Sequence, residues 1–317
     1  MEGMMETYLD CVPCIIEQTI KAARDLTQDL SKQEILVQNV LKTLSNISYN
    51  QSPPYLGKEV HRVIRMILDN PDPYLKLKRD FNRLGKELYP SLRERVNHSA
   101  DRFADAVKLA IAGNIIDFGP QHPFELMETI DKVLLTKPVI DYTEDLKNDI
   151  ELASTILYLG DNAGETFFDR ILIEEFPRVE IYYAVRGSPV INDAMSEDAY
   201  FAGLDQVTNV ISNGSDAPGT ILEDCSEEFK NIFARADLVI AKGHGNYETL
   251  NDVKGKKLYF LLMVKCTIIA RDLGCSMGDF VVKKVENRVA ATDQIDKSAQ
   301  IGGIENITGG SDFKKNK

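Results

Sequence analysis

Long apolar runs are missing from this 317-residue chain, and so is any stretch able to span a bilayer. The start also lacks a basic segment followed by an apolar one, the mark of a secretion signal. The expectation is a soluble, cytoplasmic protein with no membrane partner. Positive charge is in deficit: 37 Lys and Arg face 49 Asp and Glu, a formal charge of -12 that repels a nucleic-acid backbone. Cysteine is sparse, at five, and the odd number argues against a disulfide framework and for reduced thiols. No second CxxC completes Cys11-Val12-Pro13-Cys14 into a four-thiolate zinc site. That pair is read as buried free thiols, with zinc binding or redox chemistry as the lesser alternative. No internal repeat or low-complexity block is present.

What is there reads as two unequal parts. From Cys11 to about Asn114 apolar residues recur at helical spacing, as in Ile16, Ile20 and Ala23, then Leu36, Val40 and Leu44 behind a Ser31/Glu34 capping box. Val60, Ile64 and Ile67 follow between Pro53-Pro54 and the turn Asn70-Pro71-Asp72-Pro73, and Phe103, Val107 and Ile111 come later. An all-helical region is expected over 1–150.

Near Thr155 the pattern changes to short apolar runs: Ile156 to Leu159, Ile181 to Val185, Val207 to Ile211, Leu238 to Ala241 and Leu258 to Val264. Segments of helical length such as Thr166 to Phe176 and Ile191 to Phe201 separate them. Strands alternating with helices predict an α/β core over 151–300 with a mainly parallel, doubly wound sheet. The glycine-containing stretch 301–317 is expected to be a partly disordered tail.

Such sheets bind ligands at the carboxyl ends of their strands, where this chain concentrates its polar residues. Asp161 and Asn162 follow the first of these strands and Asp193 follows the second. Carboxylate and amide oxygens are hard ligands for Mg²⁺ or Mn²⁺, and an ion so held can polarise a phosphoryl group and activate water. Any one of the three is more simply a helix cap; the set, spread over successive loops, favours a site. Lys242 and Lys265 are candidate point charges on phosphate, with backbone N–H groups after Gly164 and Gly214 as a further cradle. Asn213 and Asn246 lie in the strand-end loops and count as substrate-binding candidates. Glu165 and Asp216 are candidate bases or water-positioning groups, and His244 a candidate proton shuttle or metal ligand. A covalent aspartyl-phosphate route through Asp161 stays open beside direct attack by water.

Seven segments in order carry a resemblance: Asp10 to Cys14 with Gln18, Gly113 to Gly119, Gly160 to Glu165, Arg186 to Asp193, Asn213 to Thr220, Lys242 to Glu248, and Val264 to Cys266. Together they resemble the family once called domain of unknown function 89, now the damage-control phosphatases, and the paired cysteines resemble its archaeal and bacterial branch. The resemblance implies a three-layer α/β/α Rossmann-like core behind an N-terminal helical region. It further implies a metal-dependent phosphomonoesterase using Mn²⁺, Co²⁺, Ni²⁺ or Mg²⁺ on small phosphorylated metabolites such as damaged or surplus sugar or cofactor phosphates. By that pattern Asp161, Asn162 and Asp193 are the metal ligands, Lys265 contacts phosphate, and Asn114 and Asp117 reach the site from a helix. Branches acting on sugar phosphates carry Asp where this chain has His244.

Two other classes compete. A binding module could sense metal or a phosphorylated ligand without turnover. The turn Gly160 to Glu165 also resembles a nucleotide-binding loop of an S-adenosylmethionine-dependent methyltransferase, but the second strand ends in Arg186-Gly187 where that fold needs an acid for the ribose.

Overall fold

The computed structural model describes residues 5–113 and 123–285. These lie within one contact unit, Met1–Asn287. The expected tail 301–317, like Asn114 and Asp117, lies outside the described residues.

Six helices come before the sheet: α1 Cys11–Leu26, α2 Leu30–Asn46, α3 Pro53–Leu68, α4 Leu75–His98, α5 Arg102–Ala112 and α6 Pro123–Leu135. Their starts follow local chemistry. Asp29, not Ser31, caps α2, accepting the Ser31 and Lys32 amides on its carboxylate. The expected capping box is therefore displaced by a stronger acceptor two residues earlier. Pro53 and Pro54 open α3, where a missing N–H is harmless.

The sheet is built from β1 Ile140–Asp141, β2 Thr155–Leu159, β3 Glu180–Val185, β4 Asn209–Ser212, β5 Leu238–Lys242, β6 Leu258–Met263 and β7 Phe280–Lys284. Their order is β1-β7-β6-β5-β2-β3-β4. Every neighbouring pair is parallel except β6 and β7, which run antiparallel. Between the strands lie α7 Thr143–Leu152, α8 Glu165–Ile173, α9 Ser196–Phe201, α10 Glu227–Arg235, α11 Gly243–Leu250 and α12 Thr267–Leu273. The run begun at Val207 joins the sheet only from Asn209, because Leu204–Gln206 forms a 3₁₀ turn that ends at Val207. Residues 191–195 are loop rather than helix, so α9 begins later than the apolar spacing suggested.

Alternate residues of each strand feed opposite layers. Ile156, Tyr158, Tyr183, Ile240 and Leu261 pack against α4, α5 and α8. Leu157, Leu159, Val239, Phe260 and Leu262 pack against α10, α11 and α12. This is the three-layer α/β/α arrangement, with α4 and α5 serving as part of one outer layer. Helices α1, α2 and α3 keep a smaller core of their own around Leu36, Val40, Leu56 and Ile64. Among the described residues no helix is long and apolar enough to cross a membrane.

Candidate active site

The carboxyl ends of β2 and β3 are joined by more than the sheet. Beyond the last paired residues, Asn162 and Asp193 form an isolated antiparallel bridge. The Ala163 amide donates to the Asn192 carbonyl at 2.8 Å, and the Ala194 amide donates to the Asp161 carbonyl at 2.8 Å. Two loops that leave parallel strands are thereby stitched face to face, which brings Asp161, Asn162 and Asp193 onto one wall of a cleft of about 710 Å³. Lys265 and His244 line the same cleft, as do residues of α1 and α3.

Each of the three oxygen donors is held by a buried neighbour. The Arg186 Nε donates to Asp193 Oδ2 at 2.6 Å, while its Nη2 lies 3.8 Å from Asp161 Oδ1. Arg186 is buried and is a member of the site that spacing did not single out; the signal was a basic residue at the very end of an apolar strand. Asn162 donates through Nδ2 to Glu165 Oε1 at 2.7 Å. The amide uses its nitrogen inside the protein, so its carbonyl oxygen is the atom suited to a cation. Gly243 sits at φ 76°, where a Cβ would overlap the Asp161 carboxylate. Only glycine allows β5 to turn into α11 this close to Asp161.

Several expected contacts with substrate are placed elsewhere. Lys242 is wholly buried and pairs with Asp169 at 2.8 Å and Glu165 at 3.2 Å. It points beneath the cleft, not onto a phosphate. Desolvation opposes its charge, but Asp169 and Glu165 outweigh that and raise its pKa. Asp169 also accepts the Tyr158 and Tyr183 hydroxyls at 2.8 and 2.7 Å, so this buried carboxylate is fully engaged. Glu165, expected as a base, a water-positioning group or a substrate contact, is likewise buried between Asn162 and Lys242. It positions the amide of Asn162.

Asn213 shapes a turn, accepting the Gly187 and Ser215 amides at 3.1 and 2.9 Å. Asn246 braces the strand ends, donating to the carbonyls of Lys242 and Gly160 and accepting from Thr220. The Gly164 and Gly214 amides donate to Asn82 and Ser212, so these glycine turns do not offer their own N–H groups to an anion. Asp216 is paired with Arg62 and Arg65, which lower its pKa against the opposing effect of burial. It ties the loop after β4 to α3 and is not a base in the cleft. His244 Nε2 lies 3.0 Å from the Lys265 N–H and 2.9 Å from the Met263 carbonyl, and its tautomer decides whether it accepts from the first or donates to the second. Burial, then the Lys265 charge, lower its pKa to about 4. The neutral ring braces the end of β6, where Lys265 begins the turn into α12.

Glu248 was not expected but lines the cleft from α11. Burial and the nearby Asp161 push its pKa up to about 8. Cys11, Cys14 and Cys266 line the cleft as well and all five cysteines are free, but Cys11 is only half-buried and Cys14 is exposed, so the pair is not the buried one expected; partial desolvation raises the pKa of both thiols. Among the described residues no three His, Cys, Asp or Glu side chains form a cluster able to hold a metal by themselves. Asp161 and Asp193 are two such residues, and Asn162 is the third oxygen donor.

The site is thus carboxylate and amide oxygens gathered at the strand ends of a three-layer α/β fold. Residues 7–281 match the damage-control phosphatase ARMT1-like domain, and the chain belongs to that family. Among its relatives is an uncharacterized protein of Methanocaldococcus jannaschii, 38% identical over 87% of this chain and 94% of that protein. A damage-control phosphatase of Pyrococcus horikoshii is 35% identical over 87% of this chain and 97% of its own length. The crystal structure of a family protein from Pyrococcus horikoshii superposes with a TM-score of 0.84 at 34% identity, covering 89% of this chain and all of that one.

Proposed function

We propose that this protein is a metal-dependent phosphatase that hydrolyses phosphate monoesters of small metabolites, including damaged or surplus sugar or cofactor phosphates. The observation that carries this reading is the Asn162–Asp193 bridge, which sets three hard oxygen donors on the wall of a cleft that Lys265 also lines. Kinship with damage-control phosphatases supports the same activity.

Asp161, Asn162 and Asp193 would hold the ion, and their chemistry fits Mn²⁺, Co²⁺, Ni²⁺ or Mg²⁺. The buried partners fit that role, because ligands that must keep a fixed geometry are oriented by a second layer of hydrogen bonds. A bound divalent ion supplies Lewis acidity and neutralises charge that develops on the phosphoryl oxygens. Arg186 and Gly243 keep Asp193 and Asp161 in place, Glu165 orients Asn162, and Lys265 offers a cation to the ester's phosphate. The partner is a small phosphorylated metabolite, since the net charge of -12 disfavours nucleic acid and anionic membrane surfaces. The cytoplasm is its proposed compartment.

The test is a phosphate-release screen on protein stripped of metal by a chelator and refilled with each of the four ions. Release that depends on refilling, and is lost in Asp193→Ala, supports the reading. Ester binding without release under every ion would favour a non-catalytic binding protein instead.

A further inference from the structure

Three sulfurs share the cleft with the oxygen donors and have no part in the proposed hydrolysis. Cys11 and Cys14 stand on the first turn of α1, and Cys266 lies between β6 and α12. They are within electrostatic reach of one another: after burial, Cys266 acts on both other thiols, and Cys14 acts on Cys11. Among the described residues no three His, Cys, Asp or Glu side chains are placed to hold a metal by themselves, which leaves these sulfurs to thiol chemistry.

The three are not equivalent. Cys266 is committed to the fold, its Sγ accepting the Ile268 amide at 3.3 Å as the N-cap of α12. Cys14 is exposed; partial burial raises its pKa, and the Gln18 Nε2–H, donating to its Sγ at 3.3 Å, works against that by favouring the thiolate. Cys11 is half-buried and three residues away on the same helix turn. Such neighbours hold their Cβ atoms about 5–6 Å apart, and a disulfide needs about 3.5–4.5 Å. The first turn must tighten to close one, and little holds it open. Pro13 has no N–H to lose, the Asp10 side chain makes no cap, and the Cys11 and Val12 amides donate to the Tyr8 and Leu9 carbonyls at 2.9 and 3.1 Å, outside the helix.

Charge around the pair selects the reagent. Asp10, Asp25, Asp161 and Glu248 outnumber Lys21 and Lys265 on the lining, and Glu17 bears on Cys14 itself. An anionic disulfide is repelled here and a cationic one drawn in. We propose that Cys11 and Cys14 form a thiol–disulfide exchange site whose substrate is a small cationic disulfide. Cys14 attacks first: its thiolate bonds to one sulfur of the reagent, the reagent's S–S bond breaks, and the departing thiolate takes a proton from water. Cys11, deprotonated in turn, attacks Cys14 Sγ, forms the Cys11–Cys14 bond and expels the second thiol. Two electrons pass from the protein to the reagent, which leaves as two thiols. Exchange of this kind does not depend on ester hydrolysis.

The test treats the full chain, without added metal and at low salt, with cystamine or oxidised glutathione. Acid stops the reaction, and alkylation with mass spectrometry maps each cysteine. The wild type is expected to yield a Cys11–Cys14 disulfide with no cysteamine retained. Cys11→Ser should retain cysteamine on Cys14, and Cys14→Ser should react several-fold more slowly, at Cys11. Cystamine should outpace oxidised glutathione by a larger factor on the folded chain than on the same chain in urea, and the excess should shrink in high salt. No reaction at either thiol, a crosslink to Cys266, a lasting mixed disulfide in the wild type, or equal rates in the two serine variants overturns the exchange site. A cystamine preference no greater on the folded chain than in urea overturns the substrate class.

Discussion

Gly243 and Asp161 approach so closely that a single methyl group on Gly243 would occupy the space of the Asp161 carboxylate. The glycine also holds φ at 76°, so a substitution meets both strain and overlap. Gly243→Ala is expected to displace Asp161. A misplacement of about 1 Å at a reacting centre lowers rate by about 100-fold. Steady-state phosphate release should fall by at least that factor, along with a loss of Mn²⁺ affinity seen by calorimetry. A variant with ordinary kinetics would show that Asp161 is not held by this contact.

Lys242 distinguishes a buried structural charge from a ligand contact. Removing its ammonium leaves Asp169 and Glu165 buried without their cation, and breaking a buried ion pair from one side costs about 3–5 kcal/mol. Urea denaturation of Lys242→Met should show a loss of that order. If Lys242 contacted phosphate directly, stability would change little and KM would rise instead.

His61 gives the fold a specific acid sensitivity. It is buried, and desolvation, followed by the Arg65 charge, lowers its pKa from 6.5 to about 3. The unfolded chain therefore binds a proton at a pH where the native one does not. Stability from this residue is present above pH 6.5 and is lost progressively as pH falls toward 3. Melting temperatures between pH 7 and pH 4.5 should decline less steeply in His61→Gln than in the wild type. Parallel slopes would mean that His61 is protonated in the native state.

The sheet was legible in the sequence because parallel strands buried on both faces are continuous apolar runs, as Leu238 to Ala241 and Leu258 to Val264 are. The strand β7 was not, since Phe280–Lys284 carries only three apolar residues before two lysines, and its antiparallel pairing with β6 depends on the tertiary path. Asp161, Asn162 and Asp193 were legible as a group because strand ends converge on one edge. The bridge that joins them was not, because two loops leaving parallel strands carry no periodic pattern. Lys242 looked like a ligand contact for want of its partner. Glu165 and Asp169 stand four residues apart on α8, and that shared helix face was the available signal. Asn213 and Asn246 were legible only as amides at strand ends; that each braces a loop, Asn213 through its Oδ1 and Asn246 through both ends of its amide, depends on tertiary partners no local pattern shows.

The most direct measurement is Mn²⁺ calorimetry and phosphate release on the same samples of wild type and Asp193→Ala, each stripped of metal and refilled. The wild type is expected to bind the ion and to release phosphate only when it is bound, and Asp193→Ala to lose both while staying folded by circular dichroism. Full metal binding and turnover in a folded Asp193→Ala protein would contradict the assignment of Asp193 as a metal ligand.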